Sequence, residues 1–390
     1  MKLFDLKKIA DLPKNLKIAV VGIFVVMFAF GIYNATYYNF ITEVIKISPV
    51  DLGRLEAVRE LPGLLLVAFS FITVYFCDRT TGSLCAIIAA IGFTAYTKVT
   101  TVNSLLLWTF IWSVGMHIWF PLQQSIIVYF APKGREGAYL GFSGSITAIA
   151  NICGMVFVAL VGKGFTFKIW YTIVVFLMII GAVVLMFVPK TVGEVNRKKV
   201  SFKKKYMPYY MLIFLEGCRK QVFLTFAVYV LTKEFATPLK VIAGLMLLNN
   251  VVNMFGYPIV GRLADKIGEK VILRTCYSLL IFVYVGYAYS KNVHILFLMY
   301  VLDNLFYLSS ICLSSYVKRI CDNNDLLTTL STGQSFNHLA ACIVPIVGGM
   351  IWAKFGYSWT FMGSMLVVIF SIFYVSVIPD NRKNKKLPDA

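Results

Sequence analysis

A chain of 390 residues with 59% hydrophobic and 14% charged side chains, and a mean hydropathy of +0.78, lies far outside the composition of a soluble globular domain. The net charge of +19 could suit a nucleic-acid partner. Basic cytoplasmic loops and anionic lipid headgroups explain that charge without one, so nucleic acid is set aside as a partner.

A helix needs roughly 20 apolar residues to cross the hydrocarbon. Twelve stretches qualify: 17–42, 52–77, 83–100, 104–130, 137–162, 167–189, 208–233, 240–263, 271–290, 294–318, 326–353 and 357–379. The expected fold is therefore an all-α integral membrane protein of twelve transmembrane helices. The basic start of the chain resembles a signal peptide, but 18–41 is too long for its apolar core and no small-residue cleavage site follows, so this segment is expected to stay as the first span. Asn34 lies in its outer half.

The second span opens as LGRLEAVRELPGLLLVAF (52–69) and carries Glu56, Arg59 and Glu60. The i, i+3, i+4 spacing puts all three on one helix face and brings Arg59 within reach of Glu56, leaving Glu60 the freer acid. At 1.5 Å per residue the trio lies on the order of 10 Å to the outer side of the span's centre, where a gate would stand. After this span comes VYFCDRTTGS (74–83), with Asp78 and Arg79. His117 in the fourth span and Asn151 in the fifth fall near the midplane.

The basic stretch 190–207 separates six spans from six, giving a first bundle at 1–189, a cytoplasmic linker, and a second bundle at 208–390. The seventh span carries Glu216, Arg219 and Lys220 with the same i, i+3, i+4 spacing. The eighth carries Asn249 and Asn250 and is followed by GRLADKIGEK (261–270), which contains Gly261, Asp265, Lys266 and Gly268. Asp303 lies in the tenth span, and Asn337 and His338 in the eleventh. A charge at the bilayer centre costs several kcal/mol unless it meets a partner or water. Arg219, Lys220, Asp303 and Glu216, with the histidines and asparagines at similar depth, therefore read as substrate-binding, or else as interhelical hydrogen-bonding groups.

The halves repeat faintly. A shift of 187 pairs Asp78 with Asp265 and Arg79 with Lys266, while a shift of 189 pairs Gly144 with Gly333 and Trp170 with Trp359. An Asp at a helix end can accept from the first amides of a neighbouring helix, and basic residues beside it can reach carboxylates or lipid phosphates. Asp78, Arg79, Gly261, Asp265, Lys266 and Gly268 are thus the expected cytoplasmic latch.

GRLADKIGEK resembles the loop motif of the major facilitator superfamily, with Glu269 in place of one basic residue. The stretches 115–141 and 345–361 are similar to that family's junctions between spans four and five and spans eleven and twelve. The resemblance covers the whole chain and implies two six-helix bundles and a secondary transporter. The sequence departs from the pattern at Val74 and Thr81, where glycines are expected. It has no Arg near Ile111 or Trp112 and no Gly-Pro pair in the fifth span, which lowers the drug-exporter reading.

Inner loops and tails hold 25 of the 37 basic residues and outer loops hold 8, so both termini are expected in the cytoplasm of a multi-pass cell-membrane protein. The eight cysteines form no C-x-x-C pair, and no metal or cofactor is expected. No phosphate-cradling loop and no nucleophile constellation occurs, so neither a primary pump nor an enzyme is expected. The expectation is a monomeric secondary carrier, working by alternating access on a small polar or anionic organic solute. Protons are the favoured coupling ion, with Glu60, Glu56, Asp303 and Glu216 as carriers in that order. An exporter of amphipathic drugs or lipids and a non-transporting sensor are the alternatives.

Overall fold

The structure is a computed structural model, and it describes residues 13–65, 78–130, 136–162, 164–189, 202–321 and 325–377. The second half of the expected second span and most of the linker lie outside the described residues. Asp265 has a described backbone position only.

Twelve helical rods follow in chain order: α1 (Lys14–Asn39), α2 (Pro49–Leu64), α3 (Asp78–Tyr96), α4 (Val102–Tyr129), α5 (Glu136–Val161), α6 (Phe167–Met186), α7 (Met207–Val222), α8 (Leu239–Ile267), α9 (Glu269–Tyr289), α10 (Val293–Tyr307), α11 (Leu326–Phe355) and α12 (Tyr357–Val377). Three of them run on. A π turn extends α1 through Phe40–Val44, another carries α7 through Phe223–Ala227 into Val228–Lys233, and α10 continues into Ile311–Ile320. No strand occurs among the described residues.

Nine of the rods are long and apolar enough to cross a membrane within the described residues. The other three are α2, α3 and α7. α2 is described over 16 residues only, the charged trio lowers the hydropathy of α7, and Asp78, Arg79, Thr80 and Thr81 open α3.

Two compact units emerge. One comprises Met1–Ile47, Val58–Asn196 and Pro238–Leu247; the other comprises Ser48–Ala57, Arg197–Thr237 and Leu248–Ala390. In the first, α1 packs on α5 and α6, and α3 on α4 and α6; in the second, α7 packs on α11 and α12, and α9 on α10 and α12. Each pairing recurs six helices later. Small residues allow the close approach, as in soluble and membrane bundles alike. A side chain at Gly31 would strike the Asn151 backbone of α5, and one at Gly115 would strike the Cys85 carbonyl of α3.

The backbone corrects the repeat register. Pro49 and Leu239 open equivalent helices 190 residues apart, as do Phe167 and Tyr357, while Val102 and Val293 are 191 apart. The ends of the first helices agree with this. Lys46 (φ 53°) and Ala236 (φ 46°) are the two non-glycine residues of positive φ among those described. Each is followed by an amide that reaches back six residues, Ile47 N to Ile41 O and Thr237 N to Leu231 O, both at 3.0 Å. In both, a left-handed residue turns the chain so that the next amide satisfies a carbonyl one residue further back than in a Schellman motif.

Candidate functional site

In the first unit the site forms where α2 meets α4. The Arg59 guanidinium lies 3.1 Å from Glu60 Oε1, and His117 Nε2 faces Glu60 Oε2 at 3.8 Å. Glu60 is therefore not the freer acid that the spacing suggested. Ser113 Oγ donates to the Arg59 backbone carbonyl and lies 2.9 Å from His117 Nδ1. With the serine proton committed to the carbonyl, Nδ1 carries the ring proton and donates to Ser113, and Nε2 turns toward the carboxylate. The carboxylate and the imidazole thus face each other across 3.8 Å, an ion pair when the ring carries a second proton. Side-chain exposures of 14% for Glu60 and 11% for His117 leave the pair a path to water. Glu56, one turn earlier on α2, is fully buried.

Asn34 and Asn151 meet at 3.4 Å across α1 and α5. Asn151 also donates to the Thr147 carbonyl at 3.0 Å, and Thr147 bonds Gln123 at 3.3 Å. This chain ties three helices together, the interhelical role that sequence left open for these residues.

The second unit holds a dry ionic cluster. Arg219 on α7 bonds Glu216 at 2.8 Å and Asp303 on α10 at 3.3 Å. All three are nearly or fully buried, at 4% for Glu216, 1% for Arg219 and 0% for Asp303. Tyr277 on α9 donates to Glu216 at 3.2 Å, and the Tyr307 ring lies 5.2 Å from the guanidinium. With both carboxylates on it and its surface gone, Arg219 has no face left for a solute. Lys220, the next residue, is half-buried, and its Nζ lies 6.0 Å from the Tyr307 ring. Tyr277 and Tyr307 carry no sequence signal that singles them out from the chain's 22 tyrosines.

Asn249 joins a carboxamide cluster between α8 and α10. Asn304 donates to the Asn249 carbonyl at 3.2 Å and to Asn253 Oδ1 at 3.0 Å. Asn304 and Asn253 escaped sequence reading, although Asn304 directly follows Asp303. Asn250 on α8 and His338 on α11 are half-buried.

At the expected latch, Asp78 accepts from the Ser125 hydroxyl at 3.2 Å rather than from helix amides. Arg79 turns to the end of α6, with Nη1 3.4 Å from the Met186 carbonyl. Gly268 takes φ 103° between α8 and α9, a turn that a side chain would strain. Gly261 lies within α8, against Ile311, and Lys266 is exposed. Glu269 pairs with Arg319, and Lys270 Nζ bonds the Ser376 carbonyl near the end of α12 at 2.8 Å. In the backbone register Asp78 and Arg79 correspond to Glu269 and Lys270, not to Asp265 and Lys266. Arg79 and Lys270 both bind carbonyls at the end of the last helix of their six, where a cation is favoured.

A family model described as Major Facilitator Superfamily matches residues 19–317 and, again, 210–390. The chain belongs to this superfamily. No curated protein sequence matches it. Among solved structures it is similar to the nucleoside transporter NupG, at 14% identity and TM-score 0.76, covering 93% of this chain and 98% of that one. It is also similar to a bacterial homolog of the human lysosomal transporter Spinster, at 13% identity and TM-score 0.71, covering 93% and 95%. A third is a POT family transporter in complex with 5-aminolevulinic acid, at 13% identity and TM-score 0.72, covering 95% and 96%. At these identities the likeness carries the fold, twelve membrane helices in two bundles of six. As a superfamily member this is a multi-pass membrane transporter and not an enzyme.

Proposed function

We propose that the protein is a proton-coupled secondary carrier of a small polar or anionic organic solute, with Glu60 and His117 holding the coupling proton. The observation that carries this reading is the pair itself: a carboxylate and an imidazole 3.8 Å apart, each partly exposed. A coupling group must trade its proton with water during the cycle. Asp303, fully buried on Arg219, does not meet that requirement, so its place in the ionic cluster is structural. Lys220 is the cation we assign to the solute, because Arg219 is consumed by Glu216 and Asp303. NupG and the POT family transporter, whose named ligands are polar organic molecules, are consistent with a polar solute here. The basic-residue asymmetry supports termini and linker on the cytoplasmic side.

The test uses purified protein in proteoliposomes, compared for accumulation under an imposed pH gradient and for solute exchange at equal pH. Glu60→Gln fixes the protonated form, so exchange should persist while accumulation is lost. A Glu60→Gln carrier that still concentrates solute in response to the gradient overturns the assignment.

A further inference from the structure

The chain enters α7 through the segment FKKKYM (202–207). Tyr206 is buried at 2% exposure and anchors it, and Phe202 stacks on Tyr210 at 5.4 Å. The three lysines between them point outward. Lys203 and Lys205 keep side-chain exposures of 44% and 52%, yet both reach back to one carboxylate, Asp325, at 2.5 and 3.2 Å. The Tyr206 hydroxyl donates to the same carboxylate at 2.7 Å.

Asp325 stands at the N-cap of α11, just before Leu326, where an aspartate ordinarily caps the helix amides. Its side chain caps none of them. The carboxylate's bonds go to the segment instead, and the Lys203 ammonium holds it well below the usual carboxylate range. Lys204, exposed like its neighbours, has no acidic partner among the described residues. Two lysines therefore bond the Asp325 carboxylate, and a third stands exposed between them. Phe202, 50% exposed, and Met207, 41% exposed, flank them with apolar surface.

We propose that 202–207 docks an anionic phospholipid and that Asp325 is the internal occupant of its headgroup site. The position suits this ligand, since the segment leads directly into a membrane helix and so lies at the headgroup level. Lysines there attract anionic lipid, and exposed Phe and Met side chains insert beside the acyl chains. A lipid phosphate arriving from outside meets the exposed faces of Lys203 and Lys205, while Asp325 holds their inner faces. Phosphate and carboxylate compete for the same ammonium groups. When lipid wins, the tie between the segment and the first turn of α11 loosens, so lipid composition reaches a membrane helix through one residue.

The competition has a sign that a merely basic surface lacks. Native mass spectrometry of the full-length protein, titrated with phosphatidylglycerol and separately with phosphatidylcholine, reads it. The wild type should retain phosphatidylglycerol in preference. Asp325→Asn should retain it about fivefold more tightly, the worth of roughly one interfacial lysine released from its internal partner. Lys203→Gln with Lys205→Gln should bind it more weakly by about fivefold for each lysine lost, and Lys203→Arg with Lys205→Arg should restore binding. Equal retention of the two lipids by the wild type overturns the proposal, as does weaker phosphatidylglycerol binding by a folded Asp325→Asn protein. Should Asp325→Asn fail to fold, the double glutamine variant decides, because wild-type retention there also overturns it. Transport is not the readout, so this outcome is separate from that of the proton-coupling test.

Discussion

Arg219 and Lys220 are neighbours in sequence and opposites in setting. Arg219 is surrendered to Glu216 and Asp303, whereas Lys220 keeps part of its surface. Arg219→Gln should strand two buried carboxylates and cost about 3–5 kcal/mol, seen as a lower thermal midpoint in detergent. Lys220→Gln should fold like the wild type and lose solute affinity instead. The reverse pattern would return the substrate role to Arg219. The i, i+3 spacing makes the contact between Glu216 and Arg219 legible in the sequence. The contact with Asp303 is not, because it joins residues 84 apart on two helices, α7 and α10. Spacing along one helix predicts neighbours on that helix and is silent on what faces it.

At the scale of elements, hydropathy placed the rods well: expected spans at 104–130, 167–189 and 326–353 became helices Val102–Tyr129, Phe167–Met186 and Leu326–Phe355. The repeat register was harder. Aligning short loops on a shared Asp chose Asp265 as the partner of Asp78, while the backbone chooses Glu269. The chemistry was kept and the letter changed, since Glu269 and Asp78 are both acids that open a helix. The matched helix ends at Lys46 and Ala236 were invisible to sequence, because neither is the glycine that normally marks a left-handed residue. Such a conformation costs a residue bearing a Cβ on the order of 1 kcal/mol. Lys46→Gly and Ala236→Gly should therefore each raise the thermal midpoint, and a fall in either would mean that the side chain there contributes more than its strain.

Across the whole molecule, one packing scheme carries two different cores. In the backbone register Asp303 stands where the first unit has Trp112, and Tyr284 and Tyr287 stand where it has Phe93 and Tyr96. The first unit fills that space with rings, Phe93 and Trp112 stacking at 5.0 Å and Trp112 Nε1 bonding Tyr96 at 3.0 Å. The second fills it with the ionic cluster around Arg219. The exchange also runs the other way on α2 and α8. Ser113 on the Arg59 carbonyl becomes Asn304 on the Asn249 carbonyl, a conserved contact with new atoms. Glu60 becomes Asn250 and His117 becomes Leu308, and neither replacement can hold a proton.

Under the proton coupling proposed for Glu60 and His117, that last exchange sets a stoichiometry. Two identical halves would each load a proton, and the carrier would move them in pairs; here one half has the acid and the base, and its counterpart has an amide and an alkyl chain. A single exchangeable proton per cycle bounds the work available from a pH gradient at about 1.4 kcal/mol per pH unit. For an uncharged solute, with the membrane potential clamped at zero, the steady-state concentration ratio should therefore rise no more than about tenfold per pH unit, and a measured slope near a hundredfold would require a second proton that the α8–α10 side does not provide.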